Sequence, residues 1–240
     1  MKCEKPSLDI NFDFRTDSGG KDPDFASPTL RKFHKLLWSK ALPNGEMLSL
    51  IDKLPNHYLL GITDSMEVSL SSDTLCNSYS KRKRMQPLLE PISSLMEQFK
   101  KDLYSIGGFI LFPSKRINGF NTINQARGWI NTIDDRFDLT LECIRLYYRN
   151  RQSPLYPTLN RYRNFFSLFV DFEKYVKFFL LEDLVSKDFN QVRFFILHSK
   201  TFDGNALPKN TEDYFEFITN AQSFLQSRNQ RILDWANKNI

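Results

Sequence analysis

EMLSLIDKLPNHYLLGITDSMEVSLS, residues 46–71, is the stretch on which the fold class turns. Three short segments within it, 46–51, 57–63 and 66–71, read as strands. The last of them, MEVSLS, alternates apolar and polar side chains without a break, the period of a strand with one face buried. Just upstream, Pro43-Asn44-Gly45 is a turn. Before that turn, Ser27-Pro28 opens a helix, with Ser as the cap and Pro at the first helical position, and Leu30, Phe33, Leu36 and Leu37 give the helix one apolar face. Further back, residues 15–26 are rich in Gly, Pro and charge and read as a loop. Residues 8–14 (LDINFDF) alternate and read as a strand.

Downstream the pattern changes period. A helix begins at Pro91, with Ile92, Leu95, Met96, Phe99 and Leu103 on one side, and Gly107-Gly108 stops it. FILFP, 109–113, reads as a buried strand. Residues 122–150 then carry apolar residues at steps of three and four: Ile123, Ala126, Ile130, Ile133, Phe137, Leu141, Ile144 and Tyr148. This spacing predicts one long helix. Further helix is expected over 158–185 with a break near Asp171, a last strand over 189–197, and a helix from Thr211, as its cap, to Ala236. Strands therefore dominate 1–114 and helices 115–240. The expected class is α+β: one domain over 1–240, with a small antiparallel sheet in the N-terminal half packed on a mostly helical, aromatic-rich C-terminal half.

Composition narrows the function classes. The 240 residues include 22 Phe, 9 Tyr and 3 Trp, so the core should be aromatic, and the composition argues against disorder. Net charge is +5, which permits an anionic partner without demanding one. Three widely spaced cysteines, Cys3, Cys76 and Cys143, make neither a disulfide framework nor a zinc site. The first residues lack the apolar core of a signal peptide, and no apolar run approaches the length of a membrane span. A cytoplasmic protein without membrane contact is the expectation.

Four groups of residues carry candidate chemistry. Ahead of the 122–150 helix, Arg116, Asn118, Asn121, Asn124 and Arg127 place donors around a helix N-terminus, where a phosphate is favoured. The same donors have a plainer use, in capping the helix and pairing with carboxylates. Along that helix Asp138 and Glu142 stand one turn apart, with Arg145 three residues beyond Glu142. Such a carboxylate pair suits acid–base work or a divalent metal, although a charged face is also simply solvated. No histidine is near enough in sequence to complete a zinc site. The run Lys81, Arg82, Lys83, Arg84 has the charge to follow a nucleic-acid backbone. His34, His57 and His198 are possible bases, and Cys76 a possible nucleophile beside the basic run.

The phrases SPTLRKFHKLLWSKALPNG (27–45), LSSDTLCNSYS (70–80), TINQARG (122–128), DRFDLTLECIRLYY (135–148) and SPLYPTLNRYRNFF (153–166) resemble a bacterial family known only as a domain of unknown function. The resemblance covers nearly the whole chain and carries no activity with it. It implies a bacterial, phage or mobile-element protein. Two function classes follow. One is binding of a phosphate-bearing ligand, nucleic acid or nucleotide, with hydrolysis as an extension through Asp138 and Glu142. The other is a non-catalytic protein-interaction component of a bacterial defence system, against phage for instance, or of a toxin–antitoxin pair.

Overall fold

The structure, a computed structural model, describes residues 8–53, 58–198 and 202–239. Helices α1 (Pro23–Ala26) and α2 (Pro28–Trp38) come first. They are followed by β1 (Ser49–Lys53), β2 (Tyr58–Ile62) and β3 (Glu67–Thr74). The short α3 (Gln86–Leu89) and the longer α4 (Ser93–Leu103) lead to β4 (Phe109–Pro113). The second half is helical: α5 (Ile123–Trp129), α6 (Phe137–Tyr148), α7 (Tyr156–Arg161), α8 (Arg163–Ser167), α9 (Phe172–Phe178) and α10 (Thr211–Asn239). The chain is thus α+β, with its sheet in the N-terminal half.

The sheet is four-stranded and antiparallel in the order β1-β2-β3-β4. Its registers run Ser49↔Ile62, Leu59↔Leu70 and Leu70↔Pro113. Helix α2 starts where Ser27 accepts the Leu30 amide at 3.1 Å, and it buries Leu30, Phe33, His34, Leu37 and Trp38. β4 is buried at every residue, as its unbroken apolar run requires. Residues of the sheet and of the helices share one core, which includes Phe14, Leu70, Phe112, Ile144 and Leu225. Within it Trp38 meets Phe179 at 5.6 Å between ring centres, and Tyr175 meets Phe179 at 4.9 Å. Packed rings of this kind add about 0.5–1.5 kcal/mol per pair beyond the area they bury.

Helix α10 closes the structure against residues 102–109. Asn229 accepts the Gly107 amide at 2.7 Å and donates to Ser105 Oγ at 2.7 Å. Gln222 and Gln226 both donate to Asp102, at 2.7 and 3.0 Å. The neighbouring Arg228 is fully buried and donates to the carbonyls of Gly107, Phe109 and Phe179 at 2.6–3.3 Å. Gly108 is needed here, since a Cβ at that position would sit 1.9 Å from the Leu103 carbonyl oxygen.

Several expected elements differ. Residues 8–14 form turns, because Asp9 and Asp13 accept the amides two residues ahead, those of Asn11 at 2.9 Å and Arg15 at 3.0 Å. The 122–150 stripe is two helices, not one. Between them Asp134 and Asp135 adopt left-handed backbone, with φ of 46° and 62°. The Asp135 amide turns back to the Arg127 carbonyl at 3.0 Å. Arg127 supplies the reason: its buried guanidinium gathers Asp73 Oδ2 (2.6 Å) and the carbonyls of Thr74 (2.8 Å), Leu75 (3.1 Å) and Asp135 (2.9 Å). A continuous helix would carry the Asp135 carbonyl away from that cluster. The 158–185 block breaks more than once, and the break at Asp171 holds, with that residue capping α9. Residues 189–197 have only an isolated bridge, Val185↔Val192, because the Phe195 amide is taken by Asp138 Oδ2 at 2.8 Å. The cap of α10 is Asn210, which accepts the Asp213 amide at 2.7 Å, rather than Thr211. The expected strand 57–63 is described from Tyr58, and His57 and Cys3 lie outside the described residues.

Candidate anion-binding cleft

After β3 the chain enters an irregular segment, 75–82, tied down at four points. The Leu75 amide donates to the Gly108 carbonyl at 2.7 Å. Asn77 Oδ1 accepts the Tyr79 amide at 2.8 Å, which sets Tyr79 in left-handed backbone with φ 53°. The Tyr79 hydroxyl donates to the Asp134 carbonyl at 2.8 Å, and the Tyr214 hydroxyl donates to the Ser78 carbonyl. Beside this fixed loop lies a cleft of about 460 Å³. Four cationic side chains line it, Arg15, Lys81, Arg82 and Lys100, and none of its lining residues is a carboxylate. Asn77, Ser78 and Ser80 add polar groups, and Tyr79 and Tyr104 complete the wall.

The two arginines are held in place. Arg82 is bridged to the buried Asp134, with one contact at 2.8 Å, and lies 5.2 Å from the Tyr79 ring centre. Burial works against its charge, but the Asp134 carboxylate prevails and raises its pKa. Arg15 grips Asp13 through Nε at 2.9 Å and stands 4.8 Å over the Tyr104 ring. Its hydrogen bond to Asp13 raises its pKa. Lys100 meets the exposed Glu97 at 3.4 Å, a contact that solvent largely screens. Lys81 has no ion-pair partner among the described residues. With Asp13, Asp134 and Glu97 set against the four lining cations, the cleft keeps positive charge at Lys81, and Arg84 adds a more distant cation 3.5 Å from Asp134.

The residues expected to form a site are scattered. Arg116 is exposed and donates to Gln125 at 3.1 Å. Asn118 and Asn121 are exposed in the loop before α5, Asn118 with φ 52°. Thr122 and Gln125 form a capping box that already satisfies the start of this seven-residue helix. Asn124 donates to Ser71 Oγ at 3.2 Å, and its Oδ1 is buried without a partner among the described residues. Arg127 points inward to the clamp described above and does not meet Arg116. Asp138 is fully buried, held by Arg136 Nε at 3.1 Å and by the Phe195 amide. Glu142 pairs with Arg145 at 2.6 and 2.7 Å and lines a different cavity. Asp138 and Glu142 therefore do not share a site. Of the basic run, Lys81 and Arg82 line the cleft, while Lys83 and Arg84 are exposed beside it. Among the described residues no group of three or more His, Cys, Asp or Glu is placed to hold a metal ion.

The remaining candidates also resolve. His34 is buried, its Nδ1 accepts from Trp38 Nε1 at 2.8 Å, and its Nε2 faces Ser72 Oγ at 3.1 Å. With Nδ1 accepting, the proton sits on Nε2 and is donated to Ser72, which is the wrong tautomer for activating that hydroxyl. Burial, aided by Arg228 and Arg31, pushes the His34 pKa down to about 3. Cys76 lies at the cleft, but burial pushes its thiol up, away from the thiolate. His198 is half exposed, 3.4 Å from Asp213. Arg15 and Lys100 are the cleft cations that no sequence pattern marked. Neither has a local signal, because each reaches the cleft only through folding.

Fold and site together define an α+β protein with a cation-lined cleft beside the loop that leaves its third strand. The chain belongs to DUF6994, a family of unknown function, whose model matches residues 8–232. No curated protein and no solved structure matches it. Among the described residues no helix is long and apolar enough to cross a membrane.

Proposed function

We propose that the protein binds a phosphate-bearing ligand, a nucleotide or a nucleic acid, in the cleft formed by Arg15, Lys81, Arg82 and Lys100. The observation that carries this reading is the lining itself: four cations, several polar groups and no carboxylate. Phosphate oxygens accept from guanidinium and ammonium donors, and a pocket without carboxylates avoids repelling them. Arginines already fixed by Asp13 and Asp134 lose little further freedom on binding. Binding rather than hydrolysis is the reading favoured, since Asp138 and Glu142 lie outside the cleft and the Cys76 thiol stays protonated.

The test is titration of labelled RNA, DNA and nucleoside triphosphates across a salt series, with the exposed Lys81 and half-buried Lys100 changed together to Gln. Affinity for the preferred ligand should fall as salt rises. For a polymer the double variant should lower the slope of log K against log salt by about one per lost phosphate contact. Absence of binding at low salt, or an unchanged double variant, removes the proposal. A second reading, a protein-interaction component of bacterial defence, draws on Trp129 at 79% exposure and Phe120 at 58%. Unaltered association of a Trp129→Ala variant with any captured partner, or a strictly monomeric chain with none, counts against it.

A further inference from the structure

A larger cavity, about 580 Å³, shares no lining residue with the cationic cleft. Two helices present one face each to it. Glu142 and Arg145 come from α6, and Asn220, Ser223, Phe224 and Ser227 come from α10, at steps that keep them on one side of their helix. The third wall is the irregular segment 183–197, and it is fixed in place rather than loose. The Phe195 amide donates to Asp138 at 2.8 Å, the Phe195 carbonyl accepts from Asn220 at 3.0 Å, and the Arg193 amide donates to the Leu184 carbonyl at 2.9 Å. A cavity whose walls are tied to both helices is preformed, and its volume suits a small molecule.

The charges in this lining are of two kinds. Glu142 is paired with Arg145 at 2.6 Å, and Asp183 with Arg231 at 2.8 Å, so both carboxylates already have a cation. Arg193 has no ion-pair partner among the described residues. The hydroxyls of Ser223 and Ser227 also make no hydrogen bond among the described residues. Beside these polar groups the lining is apolar, with Phe194, Phe224 and Leu197, and Leu197 is 59% exposed although apolar. We infer that this cavity binds a small organic carboxylate with a ring-sized apolar body, its carboxylate on Arg193 and the serine hydroxyls and its body against Phe194, Phe224 and Leu197. A phosphate is the wrong ligand here. Its second negative charge would face Glu142 and Asp183 with a single unpaired cation to offset it, the reverse of the other cleft.

Phenylacetate is the probe, titrated into the full chain by calorimetry and by amide NMR, with acetate and phenethylammonium as comparisons. Phenylacetate should bind and shift the amides of 190–197 and 220–227. Acetate, lacking the ring, and phenethylammonium, carrying the wrong charge, should each bind at least tenfold more weakly. Arg193→Gln should weaken phenylacetate roughly 10–100-fold, the loss of one charge-assisted contact. Ser223→Trp should abolish binding by filling the cavity. Arg193 and Ser223 are exposed, so both variants should keep the melting temperature of the parent. Equal binding of acetate or phenethylammonium, an unchanged Arg193→Gln, or no binding of phenylacetate at all overturns the assignment. The Lys81→Gln/Lys100→Gln variant should bind phenylacetate normally, which separates this site from the phosphate cleft.

Discussion

Replacing Arg228 by Met should destabilise the protein by about 3–6 kcal/mol, a large share of the roughly 5–15 kcal/mol that holds most domains together. The guanidinium is fully buried and makes four hydrogen bonds to three main-chain oxygens: Gly107 at 2.6 Å, Phe109 at 2.8 Å and Phe179 at 3.0 and 3.3 Å. No carboxylate is within ion-pairing distance among the described residues. Burial pushes its pKa down to about 9, so it remains charged at neutral pH. Methionine occupies much of the same space but leaves those oxygens without donors. Each costs about 1–3 kcal/mol, and relief of the buried cation offsets part of the sum. Arg228→Lys should fall between, because a single ammonium lacks the fork by which the guanidinium spans the carbonyls of residues 107 and 109 on one segment and of residue 179 on another. Urea unfolding followed by circular dichroism and by tryptophan fluorescence measures the difference; Trp38, 5.9 Å from the guanidinium, reports locally. If Arg228→Met is as stable as the parent, desolvation of the cation outweighs its contacts, and its role as the staple between α10, β4 and residue 179 is refuted.

Gly108→Ala should cost about 2–3 kcal/mol or more, because its methyl would overlap the Leu103 carbonyl oxygen at 1.9 Å; a midpoint of denaturation equal to that of the parent would show that the turn relaxes freely. His34 makes stability acid-sensitive. Its ring has a folded pKa of about 3 against an ordinary 6.5, so its contribution is complete above pH 6.5 and is lost as pH falls toward 3. The loss is about 1.4 kcal/mol per pH unit, and His34→Gln should flatten the stability–pH curve by that slope; parallel curves would mean that the ring is protonated in the native state. Cys76 and Cys143 should resist thiol reagents in the folded protein, since burial pushes Cys76 up and Cys143 to about 12; rapid labelling of either, read by mass spectrometry, contradicts their placement in the core.

Local chemistry made part of this fold readable. The Ser27-Pro28 start, the 66–71 alternation and the continuous apolar run of 109–113 each have one physical meaning, and each became the expected element. The 122–150 stripe misled for an equally physical reason. Ile130 and Ile133 keep helical spacing because the turn between α5 and α6 also packs them on the core, Ile133 buried and Ile130 half-buried, so periodicity persists where the backbone does not. What breaks the helix is Arg127 reaching residues 73–75, more than fifty positions away in the chain, and no local pattern encodes that. The 8–14 alternation failed through side chains: Asp9 and Asp13, one step off the apolar positions, offered turns that competed with pairing. The cleft was half legible. Lys81 and Arg82 stood out as a run, whereas Arg15 and Lys100 are unremarkable in sequence and meet them only through the packing of α4 and the N-terminal turns.

The docking of α10 on residues 102–109 has a temporal consequence. Asn229 and Gly107 are 122 positions apart, so the amide of one waits for the other to be made. At roughly 5–20 residues per second, on the order of 6–25 s separate their synthesis on a ribosome. Throughout that interval residues 102–109 lack the helix that packs on them, the Phe109 carbonyl at the start of β4 lacks its Arg228 donor, and the adjoining FILFP run is open to chaperones or to other nascent chains. The sheet can begin to pair as it emerges, but the last stitch comes from the far end of the message, and the time spent waiting for it is when this protein is most open to aggregation.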